Sequence, residues 1–224
     1  MSGSVSEAVA SRKSARAFLS DPVPDEVIRE VLEKSLRAPS GGNVQPWQLY
    51  VLANNSMDRF RSELERKMEE NPLGEKPQYS VYPEGLIEPY RTYRYNVGEE
   101  MYALLGISRD EKLKRLEWLQ NNYRFFGAPA AIFCFIDRAM GPPQWSDLGM
   151  YLQTAMLLFE EAGYATCAQE AWSRWPEFVS GFVGAPDEQM LFCGLAVGKQ
   201  DISAPVNQLR TSRASVEDAV TFVS

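Results

Sequence analysis

The chain has 224 residues, 45% hydrophobic and 24% charged, with a formal net charge of -7 and no histidine. Those totals suit one sizeable soluble domain that buries its own core. They exclude nucleic acid as the main partner, which wants surplus Lys and Arg. They also exclude Ser-His-Asp and Cys-His nucleophilic schemes and most catalytic zinc sites, so no metal is expected.

No apolar run approaches membrane-spanning length, and Met1 to Glu7 holds no apolar signal core. A cytoplasmic protein without membrane contact is expected. Cys134, Cys167 and Cys193 lie far apart in apolar runs without CxxC spacing, and read as buried free thiols of a reducing compartment.

In chain order, the first chemical signal is the basic run at Arg12, Lys13, Ser14 and Arg16. Arginine offers a planar donor fork to phosphate oxygens, lysine a point charge, and serine one further donor. The same run also reads as a solvated helix face. Arg210 and Arg213, near the other end, carry charges that could close on the same group. Asp25 to Arg37 is predicted helical, with Val27, Ile28, Val31, Leu32 and Leu36 at helical spacing. Pro24 suits its first turn and Pro39 ends it.

Ala38 to Trp47 follows, rich in small residues, amides and prolines, before a strand over Trp47 to Leu52. Glycine lets backbone approach a flat ligand, and Asn and Gln both donate and accept. Such a segment is either a cofactor wall or a tight turn with Trp47 in the core. Ser56 is predicted to cap a helix carrying Phe60, Leu64 and Met68. From Asn71 to Arg94 four prolines forbid long regular elements, which gives an irregular excursion that either covers a site or is a plain surface insertion.

Helices are predicted over Tyr95 to Leu105, Glu111 to Tyr123 and, most strongly, Trp145 to Ala162. Buried strands are predicted over Ala128 to Ile136 and over Leu191 to Val197, the latter interrupted by Gly194. Ser215 to Val223 reads as a short ending able to extend onto a neighbour. Helices outnumber strands and alternate with them irregularly, which favours an α+β sandwich over a doubly wound sheet.

Taken in order, Arg12 to Phe18 and Ala38 to Trp47 resemble the signature of the FMN-dependent nitroreductase superfamily. The likeness continues through Asn122 to Pro129, Trp145 to Gly149 with Leu152-Gln153, Ala162 to Glu170, Gly194 to Gly198 and Leu209 to Arg213. It spans nearly the whole chain, leaving mainly Asn54 to Glu88 uncovered. The resemblance implies one FMN-binding domain over residues 1–224, with 54–94 as a variable excursion. It implies a nitroreductase-like α+β sandwich, a central mixed sheet flanked by helices, in an intertwined homodimer with FMN at the subunit interface.

It further implies that Arg12, Lys13, Arg16 and Arg213 hold the FMN phosphate, with Ser14 assisting and Arg210 as a substitute where the family often has a basic residue at the position of Thr211. Pro39, Ser40, Gly41, Asn43 and Gln45 would line the isoalloxazine from the partner subunit. Ala168, Gln169 and Glu170 would lie by the flavin N5 edge, although Ala168 and Ala171 stand where the family often has Pro and Gly. No side chain need be catalytic, because the flavin carries the chemistry. NADH or NADPH would reduce it, and a nitroaromatic or similar electron-poor acceptor would reoxidise it in the same slot by a ping-pong hydride mechanism, with protons from water. Tyr93, Tyr95, Phe125, Phe126 and Trp172 are candidates for lining that slot, although any single one of them reads more readily as an ordinary core or interface aromatic. The same fold also serves enone reductases, dehalogenases and non-catalytic FMN-storage proteins. Glu117-Trp118-Leu119 does not reproduce the Glu-Tyr-Lys lid usual in the dehalogenases.

Overall fold

The computed structural model describes residues 4–223, so the first three residues of the polar N-terminal stretch, and Ser224, lie outside it. It contains β1 (Gln48–Ala53), β2 (Ala130–Asp137), β3 (Ala165–Gln169) and β4 (Gln189–Gly198), hydrogen-bonded in the order β1-β2-β4-β3. All three ladders are antiparallel. Among the described residues the parallel component is one bridge, Ser14 with Thr166, on the outer edge of β3.

The helices are α1 (Val5–Ser11), α2 (Asp25–Ser35), α3 (Asn55–Glu70), α4 (Tyr90–Leu104), α5 (Lys112–Gln120), α6 (Pro142–Glu161), α7 (Pro176–Val183) and α8 (Val216–Ala219). None of the helices among the described residues is long and apolar enough to cross a membrane.

The apolar run in β2 becomes central because both of its faces are covered. Strand side chains alternate between faces. Ala131, Phe133 and Phe135 therefore join a core with Phe60 of α3, Val179 of α7 and Trp172 from the turn that precedes α7. Ala130, Ile132, Cys134 and Ile136 point the other way, into cores shared with α2 and α6. Helices thus cover both sides of the sheet. All three cysteines are free and buried, and desolvation pushes the Cys134 thiol up to about 12.

Several boundaries depart from the sequence expectation, each for a local reason. Helix α6 begins at Pro142 rather than Trp145, since proline's fixed φ suits a first turn and the Gln144 side chain accepts from the Gly141 amide at 3.2 Å. Helix α4 begins at Tyr90, so the irregular stretch ends at Pro89 rather than Arg94. Glu88 caps the helix there, accepting from Thr92 N at 3.1 Å and pairing with Arg91 at 2.7 Å. Ser56 does not cap α3; its hydroxyl binds both backbone groups of Ala53, at 3.0 and 2.7 Å, and pins the end of β1. Helix α5 stops at Gln120 rather than Tyr123, because Phe125 and Phe126 take left-handed φ of 50° and 53°, which turns both rings into the core.

The stretch from Asn71 to Pro89 is fastened down at several points. Glu75 N donates to Arg174 O at 2.6 Å, and its carboxylate accepts from Glu177 N at 2.7 Å and Phe178 N at 3.0 Å, at the start of α7. Further on, the Tyr79 hydroxyl donates to Phe192 O while its ring meets Trp145 edge-on at 5.5 Å. Desolvation outweighs the amide bonds and holds the Glu75 carboxyl above its ordinary pKa, so the net gain from this cap is modest. Glu75→Ala is expected to cost about 1 kcal/mol, a typical cap value, and to speed proteolytic cutting within 71–89. Unchanged urea midpoint and unchanged cutting would refute the anchoring role.

Candidate cofactor site

The basic run is not a solvated helix face. α1 ends at Ser11, and the chain from Arg12 onward lies extended along the outer edge of β3, where Ala15 N donates to Thr166 O at 3.0 Å. Asn207 fixes the other side. Its side chain accepts from Arg16 N at 2.7 Å and donates to Ala17 O and Asp201 O, both at 2.8 Å, while its carbonyl takes the Lys13 ammonium. This buried asparagine is a positioning residue that sequence reading missed, since nothing in Val-Asn-Gln distinguishes it from any loop.

These contacts shape a cavity of about 410 Å³. Five cations line it, Arg12, Lys13, Arg16, Arg210 and Arg213, with Ser14 among them and Gln153 of α6 beside them. No carboxylate lines it among the described residues. Arg210 reaches back across the chain to Ala10 O at 3.3 Å and Ser11 O at 2.9 Å. The two ends of the sequence therefore do close on one place. Arg12 Nε is buried there with no partner. Desolvation, then the charge of Arg210, lowers the Lys13 pKa. A buried guanidinium donor without an acceptor, among further cations, is the donor set of an anion site.

The segment from Pro39 to Gln45 satisfies both of its sequence readings. Trp47 is buried and stacks on Tyr151 of α6 at 4.9 Å, so the turn is anchored in the core. Gly41 to Gln45 is exposed, and Gly42, Asn43 and Gln45 carry positive φ of 58°, 58° and 51°. The buried Asp147 carboxylate accepts from Gly41 N at 3.2 Å, and Ser40 Oγ accepts from Gln45 N at 3.0 Å. Asp147 and Gln153 both fell within motifs legible in the sequence, yet their contacts were not.

The remaining residues lie elsewhere. Pro39, Ser40, Gly41, Asn43 and Gln45 do not line the cationic cavity, and neither do Ala168, Gln169 and Glu170. Ala168 and Glu170 are exposed at the end of β3. Gln169 is buried, donates to Asn122 O at 2.7 Å and leaves its own Oε1 without a partner. Desolvation raises the Glu170 pKa.

Among the aromatics, Phe125 and Trp172 are wholly buried and tilted against each other at 4.6 Å, and Phe126 is buried beside them. Phe125 and Trp172 pack inside the core between the sheet and α3, whereas Phe126 also lines a separate cavity of about 550 Å³ with Phe18, Trp118 and Arg124. Tyr93 and Tyr95 are exposed, Tyr93 in a second cavity beside Arg213 and Tyr95 against Arg109.

The description "Nitroreductase family" fits the chain over residues 9–199, which includes the basic run, the Pro39–Gln45 turn and the β3 edge. The chain belongs to the nitroreductase family. Relatives agree across its length. A chloronitrobenzene nitroreductase of Comamonas testosteroni is 32% identical over 98% of this chain and 96% of its own. The crystal structure of an FMN and NADPH-dependent nitroreductase, NfnB from Sphigopyxis sp. strain HMH, superposes with a TM-score of 0.95 at 42% identity, covering 99% of both chains. The FMN-dependent NfnB from Mycobacterium smegmatis, solved in complex with NADPH, gives 0.90 at 30% identity over 98% of this chain and 97% of that one. This nitroreductase thus shares the fold of its relatives over nearly its whole length, including Asn54 to Glu88, which the motif resemblance left uncovered.

Proposed function

We propose that this chain is an FMN-dependent oxidoreductase that spends NADPH or NADH on nitroaromatic or similar electron-poor acceptors. The single observation that carries the reading is the cationic cavity, with Arg12 Nε unpartnered inside it, in a chain that matches nitroreductases over nearly its whole length. Bound FMN would supply the hydride-accepting and hydride-donating centre.

The protein's own part is to bind and orient. Arg12, Arg16 and Arg213 offer planar forks to the phosphate, Lys13 a point charge and Ser14 a hydroxyl. The Gly41–Gln45 turn, held by Asp147, offers exposed backbone and amide groups to a flat ring. Ala168 to Glu170 presents a strand end whose buried Gln169 fixes its position.

Anaerobic mixing of the purified, flavin-loaded protein with NADPH and then nitrobenzene tests the reading. Bleaching of the flavin band by NADPH and its return with the acceptor is expected. Protein that neither retains flavin nor oxidises NADPH would sink the proposal, and one that retains flavin without turnover would be a storage protein.

The working unit in this reading is a homodimer in the cytoplasm. Three free, buried thiols support a reducing compartment. Support for the dimer comes from two unmatched apolar features. β1 is an edge strand, and beside it a groove of about 710 Å³ is lined by the apolar Ile28, Leu32, Leu36, Leu49 and Val51 together with Asp25, Arg29 and Glu33 of α2. The C-terminal tail beyond α8 is extended at Val220, and Phe222 and Val223 lie exposed. A second copy's tail, added along such an edge, would bury both. Removing residues 214–224 is expected to shift the protein from dimer to monomer in sedimentation velocity at micromolar concentration. A truncated protein that remained dimeric would exclude the tail as the linking element.

A further inference from the structure

A second cavity, of about 390 Å³, adjoins the cationic one and shares Thr211 and Arg213 with it. Its other wall is α4, which presents Tyr93, Val97 and Glu100 at i, i+4 and i+7, with Arg94 beside them and Tyr82 from the preceding loop. The Arg94 guanidinium lies 3.9 Å over the Tyr82 ring. Among the described residues no carboxylate forms an ion pair with Arg94. A guanidinium stacked on a ring is held in place by one face, while its in-plane N–H groups stay free for an anion.

We infer that this cavity takes the adenosine 2′-phosphate end of NADPH, so that Arg94 selects NADPH over NADH. The inference rests on the reading of the adjoining cavity as the FMN-phosphate site. The chemistry of the walls matches the ligand group by group. Tyr93 offers a flat face to adenine, while Tyr82 backs the Arg94 guanidinium. Glu100 accepts from hydroxyl and amino hydrogens. Arg94 meets the extra phosphate with its in-plane donors, which a bare ribose hydroxyl of NADH cannot use fully, and Arg213 adds positive charge at the shared boundary. On a chain of net charge -7 such a cationic slot must be local to attract a dianion at all. The location also suits a two-substrate enzyme, because a nucleotide tail held beside the flavin phosphate leaves the flavin ring's face to the reacting group.

Calorimetric titration of the flavin-loaded protein with adenosine 2′,5′-bisphosphate, against 5′-AMP as control, tests this without turnover. The bisphosphate is expected to bind at least tenfold more tightly, about 1.4 kcal/mol. Arg94→Ala should reduce that margin below threefold and raise the NADPH-to-NADH ratio of KM values at least tenfold, while Arg94→Lys recovers part of both. Arg94 is exposed, so its replacement does not threaten the fold. Equal affinity for the two nucleotides in the wild type, or an Arg94→Ala protein with an unmoved KM ratio, would overturn the proposal. So would loss of flavin from Arg94→Ala, since that would place Arg94 at the flavin instead. A wild-type protein that fails to hold FMN in the first place is a different result, and it removes the underlying function reading.

Discussion

Arg12→Ala is expected to weaken FMN binding about a hundredfold, read from the flavin fluorescence recovered on dilution of the holoprotein. Arg12 Nε is buried at the cavity with no acceptor among the described residues, so a bound anion would satisfy a donor that the protein leaves open. Truncating one member of a buried charge-assisted pair typically costs about 2–5 kcal/mol, and a hundredfold is about 2.8 kcal/mol on that scale. Arg210 should matter less, because it already donates to Ala10 O and Ser11 O and is exposed. The folded state should tolerate Arg12→Ala, since the contacts recorded for the run are made by Lys13, Ala15 and Arg16. An Arg12→Ala protein that keeps FMN at wild-type affinity would mean that the cavity is not the phosphate site.

The largest effect on stability is expected from Gly194→Ala. A Cβ at that position would stand 2.4 Å from Trp172 Cδ1, 2.7 Å from its Nε1 and 3.3 Å from Phe125. Trp172 has little freedom to retreat, with Phe60, Phe125, Phe133 and Tyr123 around it at centroid distances of 4.6–5.5 Å. Neither can β4 withdraw, because Gly194 pairs with Phe133 on one side and Gln169 on the other. Overpacking of a closed core costs about 1–3 kcal/mol and occasionally more. With so little slack the loss should be about 3 kcal/mol, lowering the melting temperature by roughly 6–12 °C for a chain of this size. A melting temperature within a degree or two of wild type would show that the aromatic cluster yields more easily than its geometry suggests.

That glycine marks the limit of what the sequence disclosed. It stood out only as an interruption of an apolar run, because the residue it makes room for, Trp172, is near neither in sequence nor in pattern. Signals carried by local chemistry were legible. The apolar run of β2 announced a strand covered on both faces, and Ala38 to Trp47 announced a shaped turn whose tryptophan is anchored on Tyr151. The basic run was legible as chemistry but not as conformation, since its extended form is imposed from outside by Thr166 and Asn207. Phe125 and Phe126 were legible as aromatics but not as conformation, since two left-handed φ angles set where their rings point. The strand β3 and the short helices α1 and α7 escaped notice because each is too brief to show a period.

The bridge between Ser14 and Thr166 has an effect on solubility as well as on binding. An open strand edge invites another chain to add to it, and proteins commonly blunt such edges with charge or with a covering loop. Here the covering segment is itself the charged one, so β3 is shielded against fibril-like stacking by the same arginines and lysine that gather at the cavity. Because the pairing is made by backbone, with Ala15 N donating to Thr166 O, the cover persists when a single arginine of the pocket is lost. A descendant that no longer used the cofactor would therefore keep a shielded edge.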